Sequence, residues 1–267
     1  MKEIKIDELR ELQMQILDSV DLFCKERQIK YSLACGTMLG AVRHGGYIPW
    51  DDDLDIYMPR EDYVRFNNNF PNILNEKYSL KSKLRNPEWF SAYAKVIDER
   101  TCTDNPRAAI PNMGISIDIF PVDEVPDTED EWLAFRKKQK DAVVKHMYSV
   151  LKLSGTQNFR EFAKLFIHKL SLLGKSVTNT RDRVDSISQS NNNKGYSWMF
   201  ECARGLLQKH PFPKVLFDDL IEWKFENRQY QGFRDADSYL KNAYGDYMKL
   251  PPMEKRVCHH GFKTYWK

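Results

Sequence analysis

Four aspartates fall within the five positions 51–55, and their spacing is typical of a metal-binding strand. Asp53 and Asp55 share one parity, while Leu54 and Ile56 take the other. In a β-strand alternate side chains point to one face, so the aliphatic pair can enter a core while the two carboxylates project together, roughly 6.5–7 Å apart. Carboxylates held so close repel each other, and a divalent cation removes the conflict. The pattern therefore predicts a metal site.

A second apolar strand carries a further carboxylate. Residues 114–121 alternate isoleucine with polar residues, and Asp118 belongs to the polar face. We predict Asp53, Asp55 and Asp118 as catalytic residues that bind Mg²⁺ or Mn²⁺, with Asp118 either the third ligand or the base that takes a proton from an acceptor. Asp51 and Asp53 form an alternative pair. We prefer the later pair because the hydrophobic alternation of a central strand accompanies it.

A phosphate-binding turn is predicted just before this strand. Gly36 and Thr37 close an apolar run and precede a helical stretch, where a glycine admits a phosphate and the helix N-terminus offers free N–H groups. Arg43 would hold a phosphate through its planar fork or pair with an aspartate. Lys95 would meet a phosphate, the aspartates or solvent. The full set of predicted nucleotide-binding residues is Gly36, Thr37, Arg43, His44, Gly45, Gly46, Trp50 and Lys95.

Residues 36–56 read GTMLGAVRHGGYIPWDDDLDI and resemble the signature of the LicD family. That family includes bacterial phosphocholine transferases and fukutin-related ribitol-phosphate transferases. Two later stretches also resemble family motifs, GISIDIFPVD at 114–123 and YGDYMKLPP at 244–252. Residues 126–212 show no match that we can assign.

The resemblance implies a fold similar to polymerase-β-like nucleotidyltransferases. It implies transfer of a phospho-alcohol, best known as phosphocholine from CDP-choline, to a glycan hydroxyl with release of CMP. The partners would be a CDP-activated alcohol donor and a glycan acceptor, lipid-linked or free, such as a precursor of lipopolysaccharide, teichoic acid or capsule. Trp50, Trp89 and Tyr93 are aromatic candidates for boxing a quaternary ammonium.

Two other functions use the same aspartates. A true nucleotidyltransferase would attach a nucleoside monophosphate to its acceptor and release pyrophosphate. A non-enzymatic calcium-binding module would use Asp51, Asp53 and Asp55 as positions 1, 3 and 5 of an EF-hand loop. In that loop, however, Ile56 stands where glycine is needed and Asp62 stands where glutamate is expected.

The periodicity predicts an α+β fold: a mixed sheet flanked by helices, with a largely helical C-terminal lobe. We divide the chain into a nucleotidyltransferase-like core, residues 1–125, and a second unit, residues 126–267, with acceptor binding assigned to the latter. Predicted helices are 7–27 with Asp7 as N-cap, a helix starting at 38–42, and 61–70, 130–150, 159–173, 180–190 and 235–244 capped by Asp235. Predicted strands are 31–35, a β-meander over 77–104, and 114–121, while 212–232 form a strand pair or a helix.

Residues 159–173 predict a basic amphipathic helix. Its apolar face contains Phe166, Ile167, Leu170, Leu172 and Leu173, with lysines nearby. Packing of this face on the core is the interpretation that we favour, and peripheral contact with a membrane surface is the alternative.

The composition is that of an ordinary soluble protein. The chain has 267 residues, a formal net charge of +3, 42% hydrophobic and 30% charged residues. Such a mild charge does not indicate binding to nucleic acid. Neither an N-terminal leader nor an apolar run of membrane-spanning length is expected. The five cysteines include no Cys-x-x-Cys, which favours reduced thiols in the cytoplasm, or at the inner face of the membrane, over disulfides or zinc.

Overall fold

The computed structural model describes residues 1–104, 113–156, 158–204, 209–257 and 263–267. Its strands are β1 (Ser32–Leu33), β2 (Asp55–Pro59), β3 (Tyr78–Lys81), β4 (Ala94–Asp98), β5 (Thr101–Asp104), β6 (Ser116–Val125), β7 (Trp198–Phe200), β8 (Phe212–Pro213), β9 (Leu220–Phe225), β10 (Arg228–Phe233) and β11 (Lys263–Trp266). Its α-helices are α1 (Ile6–Glu26), α2 (Cys35–His44), α3 (Arg60–Asn69), α4 (Glu129–Val150), α5 (Phe159–Ser171), α6 (Val177–Ser188) and α7 (Ala236–Tyr244).

A mixed sheet forms the centre of the fold, in the order β1–β2–β6–β4–β3. Strands β2 and β6 run parallel, and the other neighbours in this order run antiparallel. Every residue of β6 after Ser116 is buried, as expected for a strand covered on both faces. Helix α1 packs against β4 and β6, and α3 packs against β2 and β6. The predicted mixed sheet flanked by helices is therefore confirmed.

The hydrophobic core has two parts. The larger cluster surrounds the central sheet and includes Leu54, Ile56 and Ile117, all fully buried. The smaller cluster joins the end of β6 and β7 to α4 and α6, with Trp132 and Phe200 in edge-to-face contact at 5.0 Å. Together they fix the helical part of the chain on the far end of β6.

The first helices begin earlier than predicted. Helix α1 starts at Ile6 after Lys5, whose side chain makes no cap, so the predicted Asp7 cap is wrong. Asp7 lies instead in the first turn, where its charge is favourable at the positive end of the helix dipole. Helix α2 starts at Cys35, before the predicted Met38. The predicted Asp235 cap of α7 is confirmed, since its carboxylate accepts from the Ser238 N–H at 3.0 Å.

The aspartate-bearing strand is shorter than predicted. Strand β2 begins at Asp55, so Asp53 lies on the preceding loop, and the prediction that both project from one strand is wrong. The loop is not paired as a strand because side chains of α1 take its carbonyl groups. Arg10 donates to the carbonyl oxygens of residues 48, 49 and 51, and Gln13 donates to that of residue 52.

The predicted meander over 77–104 is only partly correct. Strands β3 and β4 pair antiparallel as expected. Strand β5 then leaves the central sheet and pairs with β11, while β4 takes β6 as its second neighbour. Local sequence reveals the strands but not this long-range exchange of partners.

The C-terminal half contains more strand than predicted. Helices α4 to α7 lie there, but β7 pairs with β6 and β8 pairs with β7, so both halves of the chain share one sheet. Residues 212–232 resolve mainly into a hairpin, β9 and β10, which packs against α2 and β1. The division at residue 125 stays a prediction.

The expected packing of α5 is wrong for most of its apolar face. Of the five residues predicted to pack, Leu172 alone is buried, and Phe166, Ile167, Leu170 and Leu173 are exposed. The helix is docked through a different face, which contains the buried Leu165. Within the described ranges, no helix is long and apolar enough to cross a membrane.

A buried histidine makes the stability of the helical region depend on pH. His146 of α4 is 9% exposed, and its Nδ1 lies 3.0 Å from the Thr180 hydroxyl of α6. Burial, helped by the positive charge of Arg181, lowers the pKa of His146 from 6.5 to about 4. The neutral ring is therefore part of the folded state, and protonation favours the unfolded chain.

We predict that this histidine makes the fold acid-sensitive. Because the pKa of His146 is depressed in the folded state, its contribution to the free energy of unfolding is complete above pH 6.5 and is lost as the pH falls from 6.5 towards 4. The loss amounts to about 2 kcal/mol by pH 5. Urea unfolding of the wild-type protein and His146→Gln at pH 7 and pH 5 measures it. The difference in unfolding free energy between the wild type and the variant should be smaller at pH 5 than at pH 7 by about that amount. An unchanged gap would contradict the prediction.

Candidate active site

Three ionisable side chains form a row across the central sheet. Asp55 of β2 is the direct neighbour of Asp118 in β6, and Asp118 is in turn the neighbour of Lys95 in β4. Laterally paired residues project to the same face of a sheet, on strands about 4.8 Å apart. The Lys95 ammonium forms an ion pair with a carboxylate oxygen of Asp118. The predicted meeting of Asp55 with Asp118 is confirmed, and of the three partners considered for Lys95 the structure selects the aspartates.

The row is unbalanced in charge. Burial would lower the pKa of Lys95, but Asp118 outweighs it and raises the pKa to about 12, so the ammonium stays protonated. Burial raises the pKa of Asp55 well above its usual range, and the charges of Asp53 and Asp118 raise it further. One Lys95 ammonium does not compensate three neighbouring carboxylates.

Asp55 is held firmly at its backbone and left open at its side chain. Its N–H donates to the Thr37 hydroxyl at 2.8 Å, which fixes the start of β2 against the first turn of α2. Its Oδ1 is buried and has no hydrogen-bond partner among the residues that the structure describes. A buried unpaired carboxylate oxygen is costly, and such oxygens are kept where they receive a ligand.

The loop before β2 brings further carboxylates to the same place. Burial, then the charge of Asp53 and a hydrogen bond with it, raise the pKa of Asp51 to about 7. Asp51 Oδ2 also occupies the space beside Gly36, where a Cβ would approach it to 2.6 Å. We call Asp51, Asp53, Asp55 and Asp118 the carboxylate cluster.

The carboxylate cluster fits a hard divalent cation. Its donors are all oxygen, and the unpartnered oxygen of Asp55 lies where mutual repulsion is strongest. Within the described ranges, no three carboxylate, histidine or cysteine side chains already converge on one point as a ready-made metal cage. Mg²⁺ usually takes one or two protein carboxylates and completes its shell with water and substrate phosphates. The assignment of Asp53, Asp55 and Asp118 as metal ligands stays a prediction.

A cleft of about 370 Å³ opens over this row. Lys95, Asp118 and Asp53 line it on the side of the carboxylate cluster. The other lining residues are Leu9, Gln13, Asp52, Phe90, Tyr93, Thr103, Met113, Gly114, Ile115, Ser116, Met147, Arg204 and Thr264. The cleft therefore joins acidic, cationic and aromatic groups.

Known proteins have sequences similar to that of this chain. The family model described as LicD/FKTN/FKRP, nucleotidyltransferase domain, matches residues 28–158. The chain is 33% identical to the lipopolysaccharide cholinephosphotransferase LicD of Haemophilus influenzae over 270 residues, covering 99% of each protein. The chain belongs to the LicD family. Uncharacterised proteins of Rickettsia typhi and Rickettsia prowazekii are 38% identical over 82 and 66 residues, which is 30% and 25% of this chain and 26% and 25% of theirs.

Membership makes the chain a LicD-type phosphotransferase. The matched range contains the loop and strand from Asp51 to Asp55, and it contains Lys95 and Asp118. The residues that meet in the cleft are thus supplied mainly by the segment that the family model describes.

The LicD signature also contains residues that the structure places outside the cleft. Gly45 and Gly46 contact the turn of the β9–β10 hairpin, where Glu226 accepts from the Tyr47 N–H at 2.9 Å and its own N–H donates to Gly45 at 2.7 Å. A Cβ on Gly46 would lie 2.2 Å from the Glu226 carboxylate. Gly46 thus permits the close approach of the hairpin, and direct contact of Gly45 and Gly46 with substrate stays a prediction.

Arg43, His44 and Trp50 form a neighbouring surface. The Arg43 guanidinium donates to the Tyr247 carbonyl at 2.6 Å and to His44 Nε2 at 3.0 Å. Trp50 meets the His44 ring edge-on at 6.3 Å and the Arg256 guanidinium at 5.6 Å. Helix α2 rises about 1.5 Å per residue, so its last turn lies roughly 10 Å from Thr37 at its start. No ion pair between Arg43 and an aspartate occurs within the described residues.

The predicted aromatic box is only partly assembled. Tyr93 lines the cleft, next to Phe90, which sequence reasoning had not selected. Trp89 is buried and supports the cleft from behind, since its indole N–H donates to the Tyr93 carbonyl at 2.9 Å. Trp50 lies on the neighbouring surface.

Two further residues of the site were missed from the sequence. Arg204 lines the cleft; partial burial opposes its charge, but Tyr93 and the carboxylates outweigh this and raise the pKa of Arg204. Burial raises the pKa of Tyr244, and Cys35, Tyr239 and the charges of the cluster raise it further. Tyr244 opens a stretch resembling a family motif, which was a usable signal. No signal in the sequence pointed to Arg204, because this residue reaches the site only through the antiparallel pairing of β7 with β6.

We predict that Arg10 acts through the loop it holds. Its guanidinium donates to three loop carbonyl oxygens at 2.6–3.2 Å, so Arg10→Ala should free Asp51 and Asp53 and lower kcat/KM about 10- to 100-fold. Arg10→Lys should restore only part, because one ammonium cannot reach all three oxygens. Steady-state kinetics measure both. Arg27→Ala, at the other end of α1, is the control, and equal activity of Arg10→Ala and this control would refute the role.

Proposed function

We propose that this LicD-family enzyme transfers a phospho-alcohol from a CDP-activated donor to a hydroxyl of a cell-surface glycan and releases CMP. The first choice of donor is CDP-choline, and the first choice of acceptor is a lipopolysaccharide precursor, because the full-length relative from Haemophilus influenzae is a lipopolysaccharide cholinephosphotransferase. The observation that carries the proposal is the row of Asp55, Asp118 and Lys95 beneath a cleft with an aromatic wall.

The reaction forms one bond and breaks one. The acceptor oxygen bonds to the phosphorus that carries the alcohol, and the bond from that phosphorus to the oxygen of CMP breaks, with CMP taking the electron pair. The hydroxyl proton passes to a carboxylate of the cluster. Mg²⁺ or Mn²⁺, held by Asp53, Asp55 and Asp118, would supply charge neutralisation for the donor diphosphate.

The chain's own cations orient the donor. Lys95 holds one oxygen of Asp118, and the other oxygen would take the metal or the proton. Arg204, which also lines the cleft, supplies positive charge towards the phosphate groups. The N-terminus of α2, at Gly36 and Thr37, adds the partial positive charge of a helix start.

The aromatic wall suggests the alcohol. Phe90 and Tyr93 line the cleft, and a quaternary ammonium is attracted to aromatic ring faces. Choline therefore fits better than ribitol or glycerol, which carry no charge. The proposal places the reaction in the cytoplasm, where cysteines stay reduced, and at the inner membrane face for a lipid-linked acceptor.

A buried carboxylate without a partner predicts an unusual mutant. Asp55→Asn removes a repelled charge, so turnover should fall at least ~100-fold while the melting temperature does not decrease. Asp123 of β6 is the matched control, being buried but paired with Arg60 at 2.6 Å. Asp123→Asn should cost about 3 kcal/mol of stability, because Arg60 loses its partner. Kinetics and thermal melts test both, and near-wild-type turnover of Asp55→Asn would end the metal-ligand assignment.

Thermal shift with a ligand panel tests the donor. CDP-choline, CDP-ethanolamine, CDP-glycerol, CDP-ribitol and nucleoside triphosphates are each added with Mg²⁺ or with excess chelator. A ligand that binds the folded state raises the melting temperature. We expect CDP-choline to do so with Mg²⁺, and Asp55→Asn to abolish the shift. Stabilisation by a triphosphate alone, with pyrophosphate as product, would favour a nucleotidyltransferase.

A further inference from the structure

Helix α5 has two different faces. Leu165, His168, Lys169 and Leu172, spaced by three, one and three residues, form the docked face. Leu165 and Leu172 are buried, the His168 ring stacks on Tyr148 at 3.8 Å, and the Lys169 ammonium donates to the Ser149 carbonyl at 2.7 Å. All of these contacts join α5 to the C-terminal end of α4.

The apolar side of α5 faces away from the protein. We call it the apolar stripe: Phe159, Phe162, Phe166, Ile167 and Leu170 of the helix, with Leu173 just beyond it. These six side chains are 40% to 81% exposed. At about 100° per residue, the stripe is centred roughly 130° from the docked face. The helix therefore directs its hydrophobic side outwards and uses a narrower side to attach itself.

The stripe is surrounded by positive charge. Residues 151–175 contain five lysines and arginines and one glutamate, a formal charge of +4 in a chain whose total is +3. Next to the end of α5, a cavity of about 520 Å³ is lined by Lys138, Lys145, Lys175 and Arg183, with Asp141 as its acidic residue and Leu172 at its edge. The cavity adjoins the docked face at Leu172, while Arg160 and Lys164 belong to α5 itself.

We propose that α5 docks this enzyme on an anionic lipid bilayer. The apolar stripe would lie among the acyl chains, and Arg160, Lys164 and the cationic cavity would meet the lipid phosphates. A monomer rarely exposes such a contiguous apolar patch without a partner. A broad apolar stripe bordered by lysine and arginine matches a bilayer interface, where hydrophobic and anionic layers lie a few ångströms apart.

The docked face connects this surface to the cleft. Met147 of α4 lines the cleft, and its neighbours Tyr148 and Ser149 contact α5. A bilayer bound by the apolar stripe would therefore lie across α5 from the wall of the cleft that Met147 forms, about one helix diameter away. This consequence rests on the proposed function: it identifies the acceptor as a lipid-linked glycan, presented to the cleft at the membrane surface.

Vesicle co-sedimentation of the full chain tests the docking. Vesicles of phosphatidylglycerol and phosphatidylethanolamine should bind the wild-type protein, and vesicles of phosphatidylcholine alone should bind it at least about fivefold less tightly. The variant Phe159→Ser/Ile167→Ser/Leu173→Ser should lose at least about tenfold in affinity for the anionic vesicles. The control Leu22→Ser/Leu133→Ser/Val215→Ser removes three apolar side chains from elsewhere that are 55% to 63% exposed, and it should bind like the wild type.

Absence of wild-type binding, or equal binding by the α5 variant, would overturn the proposal. A wild-type dimer that becomes monomeric in the α5 variant, without vesicle binding, would assign the stripe to a second copy instead. Both triple variants should keep wild-type turnover of CDP-choline with a water-soluble acceptor, because none of the six positions lines the cleft. If the protein does not bind vesicles, the proposed function is unaffected. If the wild-type protein does not turn over CDP-choline with the soluble acceptor, the proposed function is contradicted, whatever the vesicle result.

Discussion

Repulsion among four neighbouring carboxylates is the constraint that the other contacts of this site offset. Burial and the charge of Asp53 raise the pKa of Asp51, and burial with the charges of Asp53 and Asp118 raises that of Asp55, so the cluster is held together against repulsion. Several contacts prevent the separation. Parallel pairing of β2 with β6 fixes one pair, Lys95 neutralises one member, and the α1 side chains hold the loop. Stability is thus given up locally to keep the four carboxylates together.

The supporting contacts come from distant parts of the chain. Cys35, at the start of α2, has a φ of +47°, a conformation that non-glycine residues rarely adopt, and its N–H donates to the Tyr239 hydroxyl of α7 at 3.0 Å. The hairpin of β9 and β10 supports the opposite end of α2 through Glu226. The C-terminal half is therefore required for the geometry of the N-terminal cluster, which agrees with a relative that matches over the whole length.

The sequence predicts those parts of the site that obey strand periodicity. Asp118 and Lys95 each stand in an apolar run as the polar exception, and such a residue must have a partner. The meeting of Asp118 with Asp55 followed from two aspartate-bearing apolar strands, whereas their parallel pairing is seen only in the structure. Residues that lie close in sequence were harder to place: Arg43 and Gly46 are near the aspartates along the chain, but a helix and a hairpin contact direct them elsewhere. Arg204 needed the course of β7, which local sequence does not specify.

Helix α5 shows why periodicity alone does not predict burial. An amphipathic pattern establishes that one side is apolar, not which side meets the protein. The orientation of α5 is set by the buried pair Leu165 and Leu172. In a helical projection this pair lies away from the larger apolar stripe and would not be recognised as the docked face. If core packing had been the function of the stripe, rotation of the helix would have buried six large side chains in place of two. Because the docked orientation forgoes that gain and keeps Tyr148 beside the wall of the cleft, the outward stripe is best explained by an apolar environment that the isolated chain does not contain.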